Sequence, residues 1–151
     1  MNNELSHSMR KLDQHTAFAS IQMHEAVARK AGLSGTDHKY LGFIMEKGQM
    51  TAGELAALSN LTTGAVTGLI DRFEKKNLVK RQFAADDRRK VFIVPNTEQI
   101  LELLAPLYAD YRRKMEELAA SFTEKELQVV QRYLSGAIEI MTETTTQLNL
   151  K

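Results

Sequence analysis

The spacing of apolar and polar residues predicts a largely helical chain. Near the N-terminus, one set of positions recurs in steps of three and four, as on one face of a long helix that Gly32 ends. A second helix is predicted from about Ser34 to Lys47, before Gly48. The positions on the face of the first helix are Leu5, Met9, Leu12, Thr16, Ala19, Met23 and Ala26.

The middle of the chain has the signals of two helices separated by a tight turn. Thr51 and Glu54 fit a capping box, in which the hydroxyl accepts a backbone N–H and the carboxylate reaches back. That helix is predicted to be short and to end near Leu58. Thr62 can cap the next helix, which is predicted to run to about Lys76.

A β-hairpin is predicted after this pair of helices. Segments 78–84 and 90–94 are β-prone and rich in Val, Phe and Ile, and the polar segment 85–89 between them is typical of a charged hairpin tip. Pro95 closes the second strand because proline cannot donate to a ladder. Two long helices follow, with capping boxes predicted at Asn96 with Gln99 and at Thr123 with Glu126, and a bend expected at Pro106.

This order of elements predicts a mainly α fold with a small β-hairpin wing. The segment 34–96 is expected to form a winged helix-turn-helix. Within it, Thr51 to about Val94 is the part expected to contact a DNA sequence, and this part is called the reader below. The long terminal helices, 1–33 and 97–151, are expected to form a helical dimerisation region interwoven with it in one domain.

Composition narrows the class of protein. The chain has no Cys, so a disulfide scaffold is excluded and any metal site needs His and carboxylate ligands. Its apolar runs fall far short of the roughly 20 residues of a membrane span, and its first residues lack the apolar core of a signal peptide. A cytoplasmic location is therefore expected.

Charge is concentrated in one region. Between Arg72 and Lys90, eight Lys and Arg residues stand against three acidic residues, a net charge of +5, whereas the whole chain carries +1 and the remainder therefore −4. A basic island on a slightly acidic body is typical of a polyanion-binding protein, although a solvated basic face remains the alternative.

The helix after Thr62 has an apolar face that is predicted to pack inward and a small polar face that suits the major groove of DNA. Thr63 and Thr67 can hydrogen-bond to base edges or phosphates. Gly64 and Gly68 are unfavourable in a helix and indicate close approach of a large partner, with tolerated surface glycines an equal alternative. The inward residues are predicted to be Val66, Leu69, Ile70 and Phe73, and the outward ones Thr63, Gly64, Thr67, Gly68 and Asp71.

Other residues are expected to contact the DNA backbone and the minor groove. Free N–H groups at the helix starts near Thr51 and Thr62 suit phosphate oxygens. At the hairpin tip, Asp87 is expected to orient a neighbouring arginine or to pair with Arg72. The basic residues assigned to phosphate or minor-groove contacts are Arg72, Lys75, Lys76, Arg88, Arg89 and Lys90.

These motifs together resemble the MarR family of bacterial transcriptional regulators. The helix LTTGAVTGLIDRFEKKNLV, the hairpin VKRQFAADDRRKVFIV and the flanking long helices carry the resemblance across essentially the whole chain. The D-x-R motif of the family's wing falls on Asp87, Arg88 and Arg89, and its recognition helix on Thr62 to Lys76 with an Asp-Arg pair at Asp71 and Arg72. Two positions depart from the family: Gly68 replaces a frequent arginine, and Val94-Pro95-Asn96-Thr97 replaces the usual Leu-Thr and Gly after the wing.

A reader of this size covers about one half-site, so a two-fold homodimer on a palindromic double-stranded operator is expected. The apolar stripes of the terminal helices are the predicted interface, with a monomer core as the alternative. The residues assigned to it are Leu5, Leu12, Leu134, Ile138, Met141 and Leu148.

The resemblance also implies a small aromatic or phenolic ligand, for which His15, Phe18, His38 and Tyr111 are the candidate pocket residues, although ordinary packing is the favoured alternative. His24 and Glu25 with His38 make only a loose set of metal ligands, so no metal and no cofactor are predicted. No catalytic motif is present, and an enzyme is not expected.

The resulting hypothesis is a sequence-specific DNA-binding regulator, a repressor that a small ligand releases. The alternative is a helical dimer that mainly binds a small molecule or a protein and keeps a vestigial reader, for which Gly68 is the support. A third possibility is an architectural protein that binds DNA without sequence preference.

Overall fold

The computed structural model describes residues 3–59, 61–87 and 89–150. Within them, six helices and three short strands follow one another in the predicted order, so the mainly α fold with a winged helix-turn-helix is confirmed. The elements are α1 (Asn3–Lys30), α2 (Gly35–Lys47), β1 (Met50–Thr51), α3 (Ala52–Ser59), α4 (Thr63–Lys75), β2 (Val79–Phe83), β3 (Val91–Pro95), α5 (Thr97–Ala120) and α6 (Glu124–Asn149).

The helix starts are capped as the sequence predicts. The backbone N–H of Glu54 donates to Thr51 Oγ1 at 3.1 Å, and the N–H of Thr51 donates to Glu54 Oε2 at 2.6 Å. Those contacts hold the pKa of Glu54 below its usual value, the Thr51 backbone N–H first. Thr62 Oγ1 accepts the N–H of Ala65 at 3.3 Å, and α6 begins with the predicted capping box at Thr123. Local signals of this kind therefore set the element boundaries.

The wing belongs to a three-stranded antiparallel sheet rather than to a hairpin alone. The strand order is β1-β3-β2, with Met50 opposite Ile93 and Val79 opposite Pro95. The sequence pattern misses β1 because a two-residue strand shows no alternation. Because β1 pairs with β3 and is followed directly by α3, it joins the base of the wing to the start of that helix. Met50 of β1 is buried there.

The core lies beneath α4. All four residues predicted on the inward face of this helix are buried, each at most 1% exposed, and they pack with residues of α2, α3 and the sheet. The largest buried side chains of this core are Phe73, Leu41, Ile44, Leu55, Leu69, Ile70, Leu78 and Ile93. Burial of one face fixes which residues α4 presents outward.

The chain divides into two compact units, Met1–Tyr108 and Ala109–Lys151, and α5 runs through the boundary. The first unit contains the winged helix-turn-helix with α1 and α2. In the second unit, α6 has no buried residue, and Leu134, Ile138 and Met141 are each more than half exposed. No helix in the described part of the chain is long and apolar enough to cross a bilayer.

Candidate nucleic-acid interface

The outward face of α4 is small, polar and open. Thr63, Gly64, Thr67 and Asp71 are exposed, whereas Gly68 is half-buried. A Cβ atom added at Gly64 would meet nothing within 4 Å, and one at Gly68 would meet only Arg72 Nη1, at 3.6 Å. Packing within the chain therefore requires glycine at neither position, a finding that fits both the close approach of a partner and tolerated surface glycines.

The hydroxyl of Thr67 already has a hydrogen bond within the helix. Thr67 Oγ1 donates its proton to the carbonyl of Thr63 at 3.0 Å, and its lone pairs can still accept a hydrogen bond from a partner. Thr62 caps the helix and leaves the neighbouring N–H groups at the positive end of the α4 dipole. An anion such as a phosphate suits that end of the helix.

The structure places Arg72 against α2 rather than on the open face. Its Nε and Nη2 donate to the two carboxylate oxygens of Asp37, at 2.9 and 2.7 Å. Asp37 is the only buried charged residue in the described part of the chain, and the hydrogen bond from Arg72 holds its pKa below the usual value. The predicted phosphate contact of Arg72 therefore competes with a structural role that ties α4 to α2.

At the tip of the wing, Asp87 orients Arg89, the first of the two roles predicted for it. Asp87 Oδ1 accepts the backbone N–H of Arg89 at 2.9 Å and its Nε at 3.2 Å, and the backbone contact is the main cause of a lowered Asp87 pKa. The Arg89 side chain is 92% exposed. Arg88 lies outside the described residues, so its predicted role stays a prediction.

The lysines of the basic island remain on the surface. Lys75, Lys76 and Lys90 are exposed, and Lys90 Nζ lies 5.1 Å from the centre of the Phe92 ring. This cation–π contact holds the ammonium of Lys90 near the ring, on a side chain that remains exposed and within reach of a phosphate.

Arg81 is a residue of the reader whose role the sequence analysis missed. From β2 it reaches the carboxylates of Asp71 and Glu74, both on α4. The available signal was the spacing of Asp71 and Glu74, since acids at positions i and i+3 lie on one side of a helix. An arginine in the next strand can pair with both of them.

A second candidate site is a cleft of about 540 Å³ between α1 and α2. His24 and Glu25 from α1 and His38 and Lys39 from α2 line it. Of the predicted pocket residues, only His38 belongs to this lining.

The other three predicted pocket residues lie elsewhere. His15 and Phe18 are exposed on α1 and do not line the cleft. Tyr111 belongs to the second unit and is 43% exposed. Helical geometry turns His15 and Phe18 away from the side of α1 that carries His24, so they do not contribute to this cleft, and their predicted role in a ligand pocket stays a prediction.

Beside the cleft, one tyrosine hydroxyl joins two histidine rings. Tyr108 Oη lies 2.5 Å from His24 Nδ1 and 3.1 Å from His38 Nε2, and the ring centres of the histidines are 5.5 Å apart. Because a hydroxyl has one proton, Tyr108 can donate to one ring only while it accepts from the other. This junction links α1, α2 and α5 within the first unit.

The pKa of His38 lies below its usual value because burial disfavours the imidazolium, and charge on His24 adds to the effect. The unfolded chain therefore takes up a proton at a pH where folded His38 resists it. We expect the free energy of unfolding to fall as the pH is lowered through about 6.5, the ordinary histidine pKa. Urea unfolding at a series of pH values measures this slope.

The matched control is His38→Gln, which keeps a hydrogen-bonding group but does not titrate. Its stability should vary less with pH between about 7.5 and 5.5, since the remaining histidines are the same in both proteins. An equal slope in the two proteins would contradict the assignment.

Within the described residues, no group of three His, Cys, Asp or Glu side chains converges as metal ligands.

Comparisons with known proteins agree with this geometry. The family model described as "MarR family" matches residues 31–90. The uncharacterized HTH-type transcriptional regulator YcgE of Bacillus subtilis strain 168 is 36% identical over 149 residues, which cover 97% of this chain and 94% of that protein.

Solved structures share the fold. A MarR family protein from Bacillus stearothermophilus superposes with a TM-score of 0.72 at 24% identity, covering 94% of this chain and 99% of that one. Sco3205, a MarR family transcriptional regulator from Streptomyces coelicolor solved in complex with DNA, has a TM-score of 0.61 at 21% identity, covering 96% and 93%.

Proposed function

Because the chain belongs to the MarR family of transcriptional regulators, we propose that it binds a palindromic double-stranded operator and controls transcription from it. The observation that carries the proposal is the outward face of α4. Each residue on its apolar face is at most 1% exposed, so the small polar face with Thr63 and Thr67 is the one presented to a groove. Base readout then rests on few side chains, and DNA shape and charge supply the rest.

The wing and the helix starts supply contacts to the sugar-phosphate backbone. Arg89 is almost fully exposed at the hairpin tip, where the narrow minor groove concentrates negative potential. Lys75 and Lys90 extend the basic surface, and the capped starts of α3 and α4 at Thr51 and Thr62 offer N–H groups to phosphates. These groups position the protein and carry little sequence information themselves.

The active form in this proposal is a homodimer. The helical region 1–33 and 97–151 supplies the interface, and 34–96 supplies one reader per protomer. Support comes from the exposed apolar stripe of α6, since monomeric proteins rarely leave so continuous a stripe in water. Two readers related by a two-fold axis then meet half-sites about one turn of DNA apart.

A small ligand in the cleft between α1 and α2 is proposed to release the operator. Support comes from the position of α2: His38 and Lys39 line the cleft, while the adjacent Asp37 holds Arg72 of α4. A ligand that shifts the first turn of α2 thus changes a contact of the recognition helix.

In this proposal the protein acts by binding rather than by catalysis, and it works where chromosomal DNA is, in the cytoplasm.

Selection of bound sequences from a random double-stranded DNA library tests the operator proposal. We expect the purified full-length protein to enrich a palindromic site, and its affinity to fall steeply with salt, with a slope of about −0.9 in log–log form per phosphate contact. A folded dimer that enriches no site, or that binds all sequences equally, would overturn sequence-specific regulation and favour a vestigial reader or an architectural role.

A further inference from the structure

We propose that Arg81 is a positioning residue for DNA binding, which fixes the wing against the recognition helix and neutralises two carboxylates beside the DNA-facing surface. The inference rests on the proposed DNA-binding function. It concerns a residue in β2 that faces α4 rather than the expected contact residues at the helix starts and the wing tip.

Three contacts join Arg81 to α4. Its backbone N–H donates to Glu74 Oε1 at 3.0 Å, and its Nη1 donates to the other oxygen of the same carboxylate. Its Nη2 donates to Asp71 Oδ1 at 2.7 Å. One side chain thus spans two acids that are three residues apart on one side of the helix, and these hydrogen bonds raise the pKa of Arg81, the one to Asp71 most.

The location of the acids matters for a polyanionic ligand. The Asp71 side chain is 60% exposed on the outward side of α4, and that of Glu74 is 34% exposed. Unpaired carboxylates there would repel phosphates, because a like charge at an interface opposes association. Arg81 cancels this repulsion while its own guanidinium is engaged and not directed at DNA.

The fold does not depend on this ion-pair cluster. Phe73 of α4, Leu78 and Val79 are buried and already pack the start of β2 against the helix. Ion pairs with partly exposed partners contribute little to global stability. Loss of Arg81 should therefore alter DNA affinity far more than it alters unfolding.

The experiment compares binding of the selected operator by the wild type, Arg81→Ala, and the triple variant Arg81→Ala/Asp71→Asn/Glu74→Gln, using fluorescence anisotropy. We expect Arg81→Ala to lower affinity about tenfold and removal of both acids to restore most of it. Arg81→Lys, which retains the charge without the fork, should lie between wild type and alanine. Arg113→Ala is the matched control, because Arg113 also bridges two acids, Asp110 and Glu117, on α5.

Two outcomes would overturn the inference. If Arg81→Ala binds like the wild type, the cluster has no role in binding. If its affinity falls but the triple variant is not restored, and the salt slope becomes shallower by about one per protomer, Arg81 contacts a phosphate directly. Failure of the wild type to bind any site would instead reject the proposed function, and thermal unfolding of each variant distinguishes a folding defect from either result.

Discussion

Replacing Arg89 by alanine is expected to weaken operator binding by about 10- to 100-fold while the protein stays folded. The Arg89 guanidinium is at the tip of the wing, almost fully exposed, and its intramolecular contacts in the described structure are with Asp87. Its loss leaves no cavity and no buried unpaired charge. A two-fold dimer loses two charge-assisted contacts, each of about 1 kcal/mol or more, and their sum accounts for the range.

The measurement is a titration of the selected operator at several salt concentrations, with Arg113→Ala as the control for loss of an arginine elsewhere. The Arg89 variant should also show a shallower salt dependence, because fewer counterions are released on binding. Asp87→Asn should give a smaller loss, since it releases the orientation of Arg89 but keeps its charge. Unchanged affinity of Arg89→Ala would remove the wing from the interface.

The second large effect is expected at the exposed stripe of α6. Ile138 is 61% exposed, and Leu134 and Met141 continue the same side of the helix. Burying such side chains against a second copy stabilises a dimer by about 1.5–3 kcal/mol each. Ile138→Glu places a charge from each protomer in that interface, and burial of an unpaired charge costs several kcal/mol.

We therefore expect Ile138→Glu to raise the dimer dissociation constant at least about 100-fold, as measured by sedimentation. Operator affinity should fall with it, because a monomer meets only one half-site. Helix content by circular dichroism should change little. Arg132→Glu, on the opposite side of α6, introduces the same side chain away from the stripe and should remain dimeric. If Ile138→Glu and Arg132→Glu form dimers with the same dissociation constant, the interface lies elsewhere than on this stripe.

Features that depend on neighbouring residues could be predicted from the sequence. The caps at Thr51 and Thr62 follow from hydrogen bonds over three residues, and the orientation of α4 follows from the helical period of its apolar residues. Positive φ at Gly32 and Gly48, 69° and 77°, coincides with the predicted ends of the first two helices. These signals recovered the order and approximate bounds of every helix.

Features that depend on packing between distant segments could not be predicted in this way. Arg72 was expected at a phosphate, yet Asp37, 35 positions away, takes its guanidinium. His24 and Tyr108 are 84 positions apart and meet only because α1 and α5 pack together. No period or motif encodes such a pair.

The sequence by itself determined the elements, their caps, the buried face of α4 and the basic island from Arg72 to Lys90. All of these follow from interactions within a few residues or from composition. Tertiary structure alone decided which charges of that island remain exposed, as Arg89 does beside its near neighbour Asp87, and which are held by acids of another element, as Arg81 is. It also decided that His38 shares a cleft with His24 rather than with Phe18. The physical reason is that an ion pair or a cleft wall needs two surfaces brought together by the common core, and only the packed chain specifies that meeting.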